Sequence, residues 1–245
     1  MPPKIRLDKL LVNRNLVPTR QKAQDMIDAG QIMVNGLPAN KSGSMFPNDC
    51  QIVLKGESNP YVSRGGLKLA AGLDFFRIDP TDLICADIGA STGGFTDCLL
   101  QRGAKLVYAI DVGYGQLDWK LRQDPKVVVM ERTNARNLQP ADIPTPLDLA
   151  VIDAAFISLK ILLPPLIPLF KDKISILALI KPQFEIGKGK VGKGGVVRDP
   201  AQHEQVIEEI KNFGKTLDLE SGEIAPSPIL GPSGNKEFLV HFTSS

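Results

Sequence analysis

The stretch Asp87-Ile88-Gly89-Ala90-Ser91-Thr92-Gly93-Gly94-Phe95-Thr96-Asp97 carries the chain from a short apolar run, through glycine, into a helical pattern. Residues 83–88 predict a buried strand, and helical spacing resumes at Thr96. Gly89, Gly93 and Gly94 remove Cβ atoms where backbone would approach a ligand, which is expected at the N-terminus of the helix. The spacing Gly-x-x-x-Gly-Gly is neither the dinucleotide fingerprint nor a phosphate loop, and no Lys-Ser or Lys-Thr follows it. A phosphate is not the expected guest.

A chain of 245 residues predicts one large domain with a small appendage. With 43% hydrophobic and 23% charged residues it fits a globular class and excludes a disordered or fibrous one. The net charge is only +2, yet residues 1–58 hold eight Lys+Arg against five Asp+Glu, so the basic bias is N-terminal. Cys50, Cys85 and Cys98 stand at unrelated positions and suggest neither a disulfide framework nor a zinc site, which makes a reducing cytoplasm the expected location. No secretory pattern opens the chain and no apolar run is long enough to span a bilayer. The most apolar run, residues 161–170, contains three prolines.

Residues 5–55 read as a small α+β unit. A helix is expected over 5–13 and another over 19–29, N-capped by Thr19 and stopped by Gly30. A strand at 31–36 runs into an Asn35-Gly36 turn, and 51–54 supplies a later strand. Arg6, Lys9, Arg14, Arg20, Lys22 and Lys41 form a candidate RNA face, with a solvated helical surface as the alternative. The series Arg6-Leu-Asp-Lys-Leu-Leu, Thr19-Arg-Gln-Lys-Ala, Ile27-Asp-Ala-Gly-Gln-Ile-Met-Val-Asn-Gly and a following Lys41 resembles the S4 RNA-binding domain. That resemblance implies recognition of structured RNA by shape more than by sequence.

Gly56-Glu57-Ser58-Asn59-Pro60 has linker composition, so the expected domains are 1–58, with the linker, and 59–245. A helix follows Ser63, with Leu69, Leu73 and Phe76 near one face; Lys68, in its first turns, is by default a surface charge. Strands are expected at 83–88, 106–111, 127–130, 147–152 and 174–180, with helices between them. This alternation predicts an α/β fold, a Rossmann-like parallel sheet that binds ligands at the carboxyl ends of its strands. Asp87, Asp111 and Asp153 fall at such ends. Residues 217–224 and 237–242, separated by turn residues, predict an antiparallel pair closing the sheet.

Asp111 follows Gly89 by 22 residues, where nucleotide-binding sheets place an acid on ribose hydroxyls; a loop acid is the alternative for either position alone. Together they favour an adenosine-containing cofactor. Asp87 suits ammonium and sulfonium charges better than pyrophosphate, which points to S-adenosyl-L-methionine. Glu131-Arg132-Thr133-Asn134-Ala135-Arg136 is a candidate for adenine or ribose contact, with a surface turn as the alternative. Asp153-Ala154-Ala155-Phe156 lacks the Asn/Asp-Pro-Pro-aromatic signature of base-amino methylation, and no cysteine stands where cytosine C5 chemistry needs a nucleophile. Hydroxyl methylation is left in front. A 2'-hydroxyl needs a base, or a cation favouring the alkoxide, and Lys181, ending an apolar strand before Pro182, is placed for either role beside Asp153.

Beyond these features, Asp87-Ile-Gly-Ala-Ser-Thr-Gly-Gly-Phe-Thr, Asp111-Val-Gly-Tyr-Gly-Gln-Leu, Glu131-Arg-Thr-Asn-Ala-Arg, Lys181-Pro-Gln-Phe-Glu and Gly231-Pro-Ser-Gly-Asn-Lys-Glu resemble the TlyA family over essentially the whole chain. These are ribosomal RNA 2'-O-methyltransferases, historically labelled haemolysins, with an FtsJ-like, class I methyltransferase fold. The resemblance implies a catalytic tetrad of Lys68, Asp153, Lys181 and Glu237, which reverses the default reading of Lys68. It also implies cytidine as the nucleoside and a cofactor cradle made of Asp87, Gly89, Ala90, Ser91, Thr92, Gly93, Gly94 and Phe95, with Asp111, Val112, Glu131, Asn134 and Asp153. Ala155 stands where the family often has serine, which bears on fine specificity.

Gly187 to Lys193 fits Gly-x-x-x-x-Gly-Lys, but Gly194 follows, so the magnesium-binding hydroxyl of a phosphate loop is missing and NTPase activity is not expected. A basic loop is the better reading, offering Lys188, Lys190, Lys193 and Arg198, together with Arg64, to RNA phosphates; a merely flexible loop is the alternative. The expected partner is ribosomal RNA or a ribosomal subunit, with no metal, no membrane and no obligate protein partner. A noncatalytic ribosome-assembly factor is the main rival. A haemolysin-like membrane-active protein is a weaker one, since no amphipathic pore segment is present.

Overall fold

The computed structural model describes residues 4–54, 59–187, 191–192 and 194–244. The chain divides into two units, Met1–Ser58 and Asn59–Ser245.

In the N-terminal unit the elements run β1 (Lys4–Arg6), α1 (Leu7–Asn13), α2 (Arg20–Asp28), β2 (Ile32–Val34), β3 (Leu37–Pro38), β4 (Met45–Pro47) and β5 (Ile52–Leu54). The Thr19 hydroxyl accepts the Lys22 N–H at 3.1 Å and starts α2, and Gly30 ends it at φ +69°. Asn35 and Gly36, both at positive φ, turn β2 into β3, as Asn-Gly does in a hairpin. The helix expected over 5–13 begins only at Leu7, because Ile5 and Arg6 pair with Phe46 and Met45 of β4. Sequence periodicity could not anticipate that partner. Leu7, Leu10, Leu11, Ala23, Ile27 and Ile32 close the core.

The second unit continues with α3 (Gly65–Phe76), β6 (Ile84–Ile88), α4 (Gly94–Gln101), β7 (Leu106–Ile110), α5 (Trp119–Arg122), β8 (Val127–Met130), β9 (Leu149–Ile152), α6 (Leu159–Leu166), β10 (Ser175–Ile180), α7 (Pro182–Glu185), α8 (Pro200–Lys215), β11 (Leu219–Pro226) and β12 (Phe238–Ser244). The seven-stranded sheet has the order β11-β12-β10-β9-β6-β7-β8. Strands β6 to β10 are parallel, and β12 lies antiparallel between β10 and β11. Successive strand residues feed opposite faces: Ala86 and Ile88 pack with α6 and α8, whereas Cys85 packs with α3 and α4, the alternation a pleated strand imposes. One expected helix is missing. Between β8 and β9 only short 3-10 turns form, at Ala135–Asn137 and Pro140–Asp142, since Pro140, Pro144 and Pro146 break any longer run.

From β6 the chain moves outward through β7 and β8, then returns to the other side of β6 for β9 and β10. This reversal opens a crevice beyond the carboxyl ends of β6 and β9. Among the described residues no helix is long and apolar enough to cross a membrane.

Candidate active site

A cavity of about 980 Å3 occupies that crevice. Gly89, Ser91, Asp111, Val112, Asn134 and Asp153 line it, as does Phe156. Gly89 sits at φ +86°, and a Cβ there would stand 3.0 Å from Asp153 O and from Ala154 Cα. Only glycine lets the loops after β6 and β9 touch and shape the cavity floor. Asp111 joins the next loop to them. Its Oδ2 accepts the Ser91 N–H at 2.8 Å and its Oδ1 the Gly113 N–H at 2.6 Å, leaving a second lone pair on each oxygen for a ligand hydroxyl.

Other residues expected in the cradle lie behind it. Asp87 is fully buried, and its Oδ2 accepts the Thr96 N–H at 2.9 Å and the Thr96 hydroxyl at 2.6 Å, so this acid anchors the start of α4 from within. Burial pushes its carboxyl up to about 7, against the two Thr96 bonds and with help from Asp153 and Asp111. Its Oδ1 has no hydrogen-bond partner among the described residues. Gly93, at φ +95°, makes room for Leu121 and Leu117, and Gly94 makes room for Ser63, so both glycines admit protein rather than ligand. Ala90 packs with Leu117 and Leu121, Phe95 is in the core, and Thr92 is exposed. Glu131 is not on the cavity wall. Its carboxylate accepts from Gly115 N–H and Arg122, and the Arg122 guanidinium holds it below the usual range.

The four residues Lys68, Asp153, Lys181 and Glu237 meet at the edge of the cavity. Lys181 Nζ lies 2.6 Å from Asp153 Oδ1, Lys68 Nζ lies 3.8 Å from Asp153 Oδ2, and Lys68 Nζ lies 2.7 Å from Glu237 Oε2. They form an alternating line, Glu237–Lys68–Asp153–Lys181, whose charges cancel. Glu237, Lys68 and Lys181 are buried and Asp153 is the more open member, an arrangement that only mutual pairing makes affordable. The register explains the meeting: Ile180 pairs with Phe238, so Lys181 and Glu237 leave antiparallel β10 and β12 at the same edge. Gly231 lies directly against the Glu237 carboxylate, where any side chain would displace it.

Three cavity features escaped the sequence reading: Gln183 and Phe184 on α7, and Phe156. Phe156 is 90% exposed at φ +63°, and its ring lies 5.1 Å from that of Phe184. Gln183 and Phe184 stand in the Lys181-Pro-Gln-Phe-Glu block, where only the lysine had an evident chemistry, and Phe156 in the stretch after Asp153. The block's last member, Glu185, accepts the Ser158 hydroxyl at 2.5 Å and the Leu159 N–H at 2.8 Å. It thereby ties the loop after β9 to α7, while burial pushes its carboxyl upward.

The expected RNA contacts divide. Arg64 and Arg198 are exposed on the second unit; Lys188, Lys190 and Lys193 lie outside the described residues. On the first unit Lys9 and Lys41 are exposed and Lys22 is half-buried. Arg14 turns inward to the carbonyls of Cys50 and Asn48, so it holds the fold. Arg6 and Arg20 share one partner, Asp8.

A crevice at the switch point, an acid at the second strand end and a lysine-carboxylate line beside it define an α/β methyltransferase of the class that takes S-adenosylmethionine. The sequence model of the FtsJ-like methyltransferase family matches residues 61–244 and that of the S4 domain residues 5–46. The 16S/23S rRNA (cytidine-2'-O)-methyltransferase TlyA of Mycobacterium tuberculosis is 45% identical over 236 residues, covering 96% of this chain and 88% of the relative. Hemolysin A of Brachyspira hyodysenteriae is 39% identical over 244 residues, covering 97% and 99%. A solved structure from Streptococcus thermophilus, described as a candidate hemolysin, superposes with a TM-score of 0.79 at 44% identity, over 100% of this chain and 90% of that one. The chain belongs to the FtsJ-like methyltransferase family, in its TlyA branch with an N-terminal S4 domain. The open Gly89 cradle and Asp111 fit the family's cofactor, S-adenosylmethionine.

Proposed function

We propose that the chain methylates the 2'-hydroxyl of a cytidine in ribosomal RNA, with the S4 unit docking the RNA and the second unit carrying the reaction. The line Glu237–Lys68–Asp153–Lys181 at the cavity edge carries this reading. S-adenosylmethionine, when bound, supplies an electrophilic methyl group on a sulfonium. The chain's part is to orient the ribose hydroxyl and take charge of its proton. Lys181 and Asp153, in contact at 2.6 Å, act as one unit that holds the hydroxyl and receives its proton as the oxygen attacks. Lys68, held by Glu237, pairs with the far oxygen of Asp153 and keeps the carboxyl group aimed at Lys181. Gly89, Ser91, Asp111, Val112 and Asn134 bind the cofactor, with Asp87 supporting the turn from behind. The exposed Phe156 beside Asp153 offers a stacking face for an unpaired base.

The substrate is structured ribosomal RNA, which the S4 unit recognises by shape. The cytoplasm is the site of action, in keeping with three buried free cysteines. Lys181→Ala tests the assignment: methyl transfer to ribosomal RNA should fall by about 10^2 to 10^4 while cofactor binding by calorimetry persists. Near-normal turnover would remove the lysine from the mechanism. Mass mapping of ribosomal RNA from cells with and without the gene then identifies the nucleotide, and loss of no 2'-O-methyl group would overturn the assignment.

A further inference from the structure

We propose that Asp8 organises Arg6 and Arg20 into one preformed fork for an RNA phosphodiester on the N-terminal unit. The inference rests on the RNA-docking reading above and deepens it. Asp8, in the first turn of α1, is a carboxylate with 0% exposure. Its Oδ1 accepts Arg6 Nε at 3.1 Å and the Lys9 N–H at 2.8 Å. Its Oδ2 accepts Arg6 Nη2 at 3.0 Å, Arg20 Nη2 at 2.8 Å and Gln24 Nε2 at 3.3 Å. A buried charge is tolerated only with such a full set of donors. The bonds from Arg6, and then from Arg20, hold the carboxyl far below its usual range in spite of its burial, so Asp8 is an anion at any physiological pH.

The arginines themselves reach solvent, their side chains being 42% and 50% exposed. Arg6 commits Nε and Nη2 to Asp8 and Arg20 commits Nη2, which leaves Arg6 Nη1 and Arg20 Nε and Nη1 for an outside acceptor. Gly43 lies beside Arg6 Nη1 and has no side chain to cover it. Because both Nη2 atoms share one carboxylate oxygen, the guanidiniums are close neighbours. The carboxylate between them cancels their repulsion and removes the rotamer freedom that a free arginine would lose on binding. The pair keeps a net charge of +1 and a fixed set of N–H donors, the requirement for gripping one phosphate group.

This arrangement reverses the sign that simple charge counting gives for Asp8. As an isolated anion it would repel RNA, and Asp8→Asn would tighten binding. As the organiser of the fork it supports binding, and the same substitution weakens it.

The test uses the full chain and unmodified 16S and 23S ribosomal RNA transcripts, with affinity read by filter binding over a salt series. Asp8→Asn, Arg6→Ala and Arg20→Ala should each weaken binding about tenfold. The Arg6→Ala/Arg20→Ala double variant should also lose about tenfold rather than about a hundredfold, since one phosphate is lost in either case. The slope of log affinity against log salt should drop by about 0.9 once, not twice. Should Asp8→Asn not fold, the arginine cycle decides alone. Tighter binding by Asp8→Asn, or additive losses in the double variant, overturns the fork while leaving RNA docking intact. No binding by the unsubstituted chain overturns the docking reading and the fork with it.

Discussion

Glu237→Ala probes the charged line where its members are most buried. The Glu237 side chain is 0% exposed and meets Lys68 at 2.7 Å, against 3.8 Å from Lys68 to Asp153. At an effective dielectric constant near 20 those separations correspond to about 6 and about 4 kcal/mol of gross attraction. Removing one member of a buried pair strands the other, and the net destabilisation is about 3–5 kcal/mol. For a unit of this size the melting temperature should fall by roughly 10 °C. Lys68 then has Asp153 as its nearest anion, and moving onto it draws the carboxylate from Lys181, so methyl transfer falls as well. The Lys68→Met/Glu237→Leu double variant separates the two effects. With both charges replaced by apolar groups of similar size, melting should return to within a few degrees of the parent, while transfer to ribosomal RNA stays at least about 10^2 lower. Scanning calorimetry and a radiolabelled methyl-transfer assay read the two quantities. Recovery of transfer in the double variant, or parental melting in Glu237→Ala, would refute the reasoning.

Three further outcomes follow from the geometry. Asp87 titrates near its ordinary 3.8 when unfolded and at about 7 when folded, so the folded state binds more protons between those values. Its contribution to stability is full below the lower value and lost as pH rises through the upper one; the melting temperature should decline over that window more steeply than in Asp87→Asn, and parallel profiles would count against the buried carboxyl. Gly89→Ala must adopt φ +86° with its Cβ 3.0 Å from Asp153 O, a strain of about 1–3 kcal/mol. Calorimetry should show weaker S-adenosylmethionine binding, and unchanged affinity would mean that the loops need not touch. Glu185→Ala should lower kcat more than it raises KM for either substrate, because it frees the loop behind Asp153, and Glu185→Gln should restore most of kcat. Equal effects of the two substitutions would show that the clamp does not position the site.

Much of the scaffold was legible along the chain. Strands near 84–88, 106–110, 127–130 and 175–180 stand where apolar runs close on a charged residue, Asp87, Asp111, Glu131 and Lys181, and α2 has the Thr19 cap and Gly30 stop that its sequence announces. These features are local, set by side-chain period, capping and turn chemistry within a few residues. Glu237 illustrates the opposite case. No local pattern separates it from any acid before a strand, and only the motif resemblance singled it out.

What the amino-acid sequence determined by itself was the order of elements, the glycine turn after β6 and the acids at the strand ends, because each depends on near neighbours. Tertiary structure alone decided which of those residues face the ligand. Asp87, Gly93 and Gly94 turned inward to Thr96, Leu121 and Ser63. Glu131 was taken by Arg122 and Arg14 by two backbone carbonyls, whereas Arg6 and Arg20 pair through Asp8 and still reach solvent. Side-chain direction and pairing over long separations follow from packing of the whole chain. The antiparallel return of β12 is the clearest instance, carrying Glu237 across the sheet edge to Lys68 and completing a charged line that no stretch of sequence contains.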